Sequence, residues 1–424
     1  MTVAATFLAG AKSRLLPATI PFRFFAAAAG FQVLMWLALT LNSGEVTGFR
    51  GGVGPVLAAI HLLTLGVLAM TAIGASAQLL PVATRRPLAA FWPIKLVSWL
   101  VIPGTAALAL AMYTLQTTIM IPAAIATTAG LLVFTALLGD NLRRAGSLPV
   151  VAAYGWAALA ALVLLVGLGV ALALDYEIAL LPDHANLALA HLILGGFGFM
   201  GLLALGFSHV LIPMFALAAA PARRSSLIGF FLAVSAVMIG ALGALAGSVA
   251  MLTLGALVGL GACGLHLWLM HAVLKSGMRK RLGLSFVLIR VAWLILPTTL
   301  IVGIAVLYGL AGPNGSTLFG FLLVGGWLLT FLLGVLQRIL PFLASMHATR
   351  PAGAGPPLTS ELAASELLKL HSICHLAALG LITVSIALDL TWLAAIGGAI
   401  GLVGSGAFAW FTATITRRAV ATHR

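Results

Sequence analysis

Charge is what this chain has least of. Of its 424 residues only 7% are charged, where a soluble domain carries about a quarter. So few charges cannot cover a water-facing surface, which excludes a cytoplasmic enzyme, a secreted scaffold and a disordered chain. Acids are scarcest: 8 Asp+Glu stand against 22 Lys+Arg. None of the acids falls in the middle of an apolar run, so the parts of a carboxylate proton relay are missing. Cysteine is nearly absent. Cys263 and Cys374 both sit inside apolar runs, and no disulfide framework is indicated. No P-loop, dinucleotide fingerprint or Ser-His-Asp arrangement occurs.

What is present is hydrophobic sequence, 62% of the chain. Its runs are unbroken for twenty residues and more, which excludes the alternating strands of an outer-membrane barrel. We read an all-α polytopic membrane protein with twelve spans. They lie at roughly 20–42, 54–81, 89–114, 118–139, 149–174, 186–215, 225–246, 249–274, 284–310, 317–343, 365–388 and 391–416, each long enough to cross a bilayer. The whole of 1–424 is then one integral membrane domain. It has an N-terminal tail at 1–19, a Pro/Gly/Ala-rich loop at 345–364 and a C-terminal tail at 417–424.

The loops sort by charge. Arg85–Arg86, Arg143–Arg144, Arg223–Arg224, the Lys275–Arg281 run, Arg350 and Arg417–Arg418 fall on one side. Glu45, Asp175, Glu177, Asp183 and Asp389 fall on the other. The positive-inside rule then puts both termini in the cytoplasm of a multi-pass, bacterial-type inner (plasma) membrane. The N-terminus, with Lys12 and Arg14 and no clean cleavage site, reads as a retained tail. The same rule accounts for the net charge of +14 with the lipid bilayer as partner and no nucleic acid.

An internal repeat stands out. Span 2 reads His61-Leu62, Gly66, Met70, and span 6 reads His191-Leu192, Gly196, Met200. Both end in a polar residue followed by proline, Gln78 with Pro81 and His209 with Pro213. Span 10 ends alike, Gln337 with Pro341, and keeps Gly325, with Gly320 where the histidine would be. Spans four apart imply a pseudo-three-fold arrangement of four-helix repeats. Proline at these points can also simply terminate helices.

Histidines carry the candidate chemistry. His61, His191, His266, His371 and His375 lie within spans, where an ionisable ring is a functional candidate. His61 and His191 share a depth on repeat-related helices, a geometry suited to two ligands of one cofactor such as a bis-histidine haem. The glycine five residues on would admit a flat macrocycle or a neighbouring helix. The bland alternative is that each ring bonds a neighbouring helix's backbone and does nothing more. His371 and His375 share a helix face, with Cys374 near them. Cys263 and His266 lie at similar depth on span 8, so copper or zinc could bind if spans 8 and 11 touch. His209, His271, His347 and His423 fall at or beyond the cytoplasmic boundary, where water can satisfy them.

Lys95, Arg290 and Arg338 lie deep with no acid to pair. They either snorkel to headgroups or meet an anion, such as haem propionates or an anionic substrate.

Twelve spans with histidines on spans 2 and 6 resemble the haem–copper oxidase catalytic subunit. That family's oxygen-reducing centre needs a His-His pair on span 7 and a histidine on span 10, which this chain lacks. Three segments resemble the NnrS family of haem- and copper-containing membrane proteins associated with nitric oxide stress. They are Pro21-Phe-Arg23-Phe-Phe25, His209-Val-Leu-Ile-Pro213-Met-Phe215 and His347-Ala-Thr-Arg350-Pro351. That family's His-x-His-Glu-Met motif is reduced here to His61. The resemblance implies b-type haem with His61 as ligand, His191 as the copper-side or second haem ligand, copper as a further metal, and redox or gas-ligand chemistry related to nitric oxide. A quinol or protein would be the electron donor. His371, His375 and His209 are further candidate metal ligands, and Arg290 and Arg338 candidate cofactor contacts. Two other readings stay open: a transporter of a metal ion or small anionic solute, and a haem or copper assembly protein.

Overall fold

The computed structural model describes residues 15–84, 86–88, 90–145, 148–347 and 364–421. The expectations for Lys12, Arg14, Arg85, Arg350 with Pro351, His423 and the loop from 348 to 363 lie outside the described residues. Among the described residues all regular structure is helical.

Among the described residues twelve helices are long and apolar enough to cross a membrane. They are α1 (Thr19–Leu41), α2 (Pro55–Val82), α3 (Trp92–Tyr113), α4 (Thr117–Arg143), α5 (Pro149–Ile178) and α6 (His184–Ala216). There follow α7 (Arg223–Leu245), α8 (Val249–Ser276), α9 (Leu284–Leu307), α10 (Gly315–His347), α11 (Ser365–Leu388) and α12 (Thr391–Val420). The membrane class and the number of spans expected from the sequence are met. Starts follow local chemistry: Pro55 and Pro149 open α2 and α5, where a missing N–H costs nothing. Asp183 and Ser248 cap α6 and α8, accepting from Asn186 N and Met251 N.

The alternative that the repeat prolines simply terminate helices does not fit Pro213 and Pro341, and Pro81 stands just before the end of α2. Pro81, Pro213 and Pro341 lie inside α2, α6 and α10, which run on to residues 82, 216 and 347. A proline near a helix end loses only a backbone bond, which neighbouring groups can replace.

Helices α2, α6 and α10 are the three most buried. They also share a backbone feature, an eight-residue π-helical stretch at Leu62–Ala69, Leu194–Gly201 and Leu322–Leu329. Such wider turns are usually single and gather at functional sites. The π stretch of α10 touches those of both α2 and α6. The other helices surround these three, and α12 packs on α1 to close the ring. Small residues allow close approach. A Cβ on Gly334 of α10 would lie 2.7 Å from Ser285 O of α9, and one on Gly255 of α8 would lie 2.9 Å from Gly240 N of α7.

The loops gather at two ends. At one, Arg50 bonds Asn314 Oδ1 (2.8 Å), Thr317 Oγ1 (2.9 Å) and Pro313 O, and Asn314 bonds Asp389. This end carries the acidic loops and is called the acidic face below. At the other, Arg279 N donates to Ala216 O (3.1 Å) and Asn141 Nδ2 to Arg86 O (2.9 Å).

Candidate cofactor cavity

A cavity of about 730 Å³ lies at the centre of the bundle, lined from α1 to α6 and from α10 and α11. Its size falls within the range of cofactor sites, and its walls are mostly Leu, Ala, Val and Phe. His61, His191 and His375 all line it. His61 and His191, each six or seven residues inside its helix, stand at matching depth on α2 and α6.

Each ring is held the same way. His61 Nδ1 lies 3.0 Å from Leu57 O, one turn back on α2. His191 Nδ1 lies 3.1 Å from Leu165 O of α5. A carbonyl only accepts, so Nδ1 carries the proton in both and Nε2 keeps its lone pair. A backbone carbonyl that fixes tautomer and ring plane is the usual support of a metal-binding histidine. The bland expectation, a bond to a neighbouring helix's backbone, holds for His191, whereas His61 bonds its own helix; either bond leaves Nε2 free.

The repeated glycines divide. Gly66 is taken up by packing, since a Cβ there would lie 2.7 Å from the Phe31 side chain. Gly196 meets Leu323 of α10 at 2.8 Å yet also lines the cavity, as do Gly195, Gly320 and Gly325. Nothing lies within 4 Å of a Cβ at Gly320, so the missing third histidine leaves open space.

His371 and His375 form a stacked pair with rings 6.1 Å apart. Ser372 Oγ donates to Leu368 O, so it accepts from Gln337 Nε2, which also reaches His371 Nδ1 at 3.1 Å. His371 Nδ1 must accept, its proton sits on Nε2, and it offers no lone pair to a metal. His375 Nε2 lies 2.8 Å from Thr330 Oγ1. His371 is thus tied to α10 through Gln337, and His375 separately through Thr330. Cys374 faces α12, 2.7 Å from where a Gly404 Cβ would be.

The proposed meeting of spans 8 and 11 is replaced by another. Helix α8 packs on α6, α7 and α9, and His266 lies beside His209, ring centroids 5.7 Å apart. His209, expected at a hydrated boundary, is buried with 6% exposed, because α6 runs on past it. His347 is likewise buried, edge-on to Phe22. His271 is exposed, as expected.

The deep cations do not reach the cavity. Lys95 and Arg290 are exposed on their helices. Arg338 donates to Ser285 Oγ (2.8 Å) and Leu282 O and lies over the Phe215 and Phe286 rings. Arg23 of the Phe-Arg segment bonds Ser98 (2.8 Å), with Phe22, Phe24 and Phe25 buried.

The cation that lines the cavity is Arg50, together with Tyr176 and His184. His184 pairs with Asp175 at 2.7 Å. Sequence reasoning passed over Arg50, although a signal existed. Among the described residues it is the one Lys or Arg in the loops of the acidic face.

No family model and no curated protein matches this chain. Among the described residues no three His, Cys, Asp or Glu side chains form a metal-binding group.

Proposed function

We propose that this chain is an integral membrane haem protein, the macrocycle lying in the central cavity with His61 and His191 as its ligands. The single observation that carries the reading is the matched pair of rings, each tied through Nδ1 to a backbone carbonyl and free at Nε2. Haem bound there would supply one-electron or gas-ligand chemistry. The chain's own part is to orient two imidazoles and to exclude water with apolar walls. Arg50, at the mouth, would meet an anionic edge of the group.

The NnrS resemblance supports nitric oxide as the ligand or substrate and a quinol or protein as electron donor. The paired motifs and the three π-helical stretches support four-helix repeats about a pseudo-three-fold axis. The basic loops support cytoplasmic termini in a bacterial-type inner membrane. The transporter reading keeps a central cavity but not its cations, since Lys95, Arg290 and Arg338 all lie away from it.

The test is an optical spectrum of purified protein beside His61→Ala and His191→Ala. A Soret band is expected in the wild type, shifted or lost in each variant. Protein expressed with ample haem that shows no Soret band overturns the reading.

A further inference from the structure

A second cavity, of about 330 Å³, lies behind α6 and α10 and is bordered on its other sides by α7, α8 and α9. Phe197 of α6 stacks on Trp327 of α10, ring centroids 5.8 Å apart, and both rings line this cavity and not the central one. The walls are nearly all hydrocarbon. Ser316, Cys263 and Trp327 are the lining side chains with a polar atom, and no lining residue is charged. A buried water needs several polar partners, so a space like this stays dry. Of the twelve spans α8 is the least buried, with 22% of its apolar stretch covered. Its inward residues Leu252, Ala256 and Gly259 are only half-buried, because they border this space and not another helix.

The cavity is a slot that runs along the helices. It is bordered on α8 from Leu252 to Cys263, on α9 from Leu307 to Leu296 and on α10 from Ser316 to Trp327. Each of these stretches rises about 16 Å. One end lies at the acidic face, since Leu307 closes α9 and Ser316 stands at the start of α10. About 16 Å is half of a hydrocarbon core of ~30 Å, so the slot spans one leaflet. A volume of 330 Å³ over about 16 Å leaves a cross-section of about 20 Å², the girth of one extended alkyl chain. We infer that this slot is a binding site for one acyl chain of a phospholipid from the acidic-face leaflet. Length, girth and apolar lining all select a single chain, and a macrocycle is too wide for it. No cation borders the slot, so the fit is to the chain and not to a headgroup. A chain seated there gives the half-buried side chains of α8 the dispersion contacts they lack. The site does not rest on haem in the central cavity.

The experiment places full-length protein in liposomes that contain phosphatidylcholine with a diazirine in mid-chain. After illumination, lipid adducts are mapped by mass spectrometry. Leu254 and Leu257 of α8 and Ile301 of α9 are exposed on the outer side and serve as the reference for chains of the surrounding bilayer. Adducts are also expected on Ala256 and Gly259 of α8 and on Leu300 of α9, which line the slot. Gly259→Phe fills the slot and should lower these inner adducts at least tenfold, with the outer ones unchanged. His61→Ala and His191→Ala should leave both sets as they are, so this site and the haem reading fail separately. Adducts confined to the outer residues of the wild type overturn the inference, as do inner adducts that persist in Gly259→Phe. Should that variant fail to fold, Ala236→Phe on the α7 wall takes its place, and the wild-type map decides by itself if neither folds.

Discussion

Gly169 of α5 lies against the His191 ring: a Cβ there would stand 3.1 Å from Cε1 and 3.7 Å from Nδ1. Gly169→Ala should therefore push the imidazole by a few tenths of an ångström and weaken its bond to Leu165 O. The fold should survive, because alanine favours a helix over glycine. A shifted absorption spectrum with an unchanged melting temperature is the expected result. An unaltered spectrum would separate His191 from the cofactor.

Gly334 is the tightest contact between α9 and α10. Its Cβ would meet Ser285 O at 2.7 Å and Ile289 Cγ1 at 2.8 Å, and backbone cannot move aside. Gly334→Ala should cost about 1–3 kcal/mol, the range for overpacking a core. Gly264→Ala, with nothing within 4 Å, should cost nothing. Thermal unfolding in detergent compares the two.

Arg338 is held by Ser285, Leu282 and two aromatic rings. Arg338→Met should lower stability by about 1–3 kcal/mol, the scale of losing hydrogen bonds to a charged group. Its cofactor content should match the wild type. Loss of cofactor at unchanged stability would restore this guanidinium as a propionate partner.

Arg50 ties the loop between α1 and α2 to the start of α10. Arg50→Gln should speed hydrogen exchange in residues 42–54 at least severalfold while α2 and α10 stay protected. Asn314→Ala should act in the same direction, since Asn314 joins that clasp to Asp389. Equal exchange in wild type and variant would show the loop to be held by other contacts.

The spans were legible because unbroken apolar runs leave no other architecture, and only their ends moved. His61 and His191 were legible because a shared spacing carries depth with it. Depth, however, is one coordinate. It put Cys263 and His266 level with His371, yet the direction of each helix face decided that His266 meets His209. Arg338 was misread for a related reason. Its partners are a serine hydroxyl, a carbonyl and two rings, and none of these announces itself as a counter-charge. Arg50 was readable as the exception to a charge rule and was lost in the fit to that rule.

The π-helical stretches of α2, α6 and α10 bear on what these helices can tolerate. A π turn is an α turn with a residue to spare. Removing one residue from within Leu62–Ala69 is therefore expected to tighten the local ring of hydrogen bonds and leave both ends of α2 aimed as they are. The same excision in an ordinary stretch would swivel everything beyond it by about 100°, turning its inward face out to lipid.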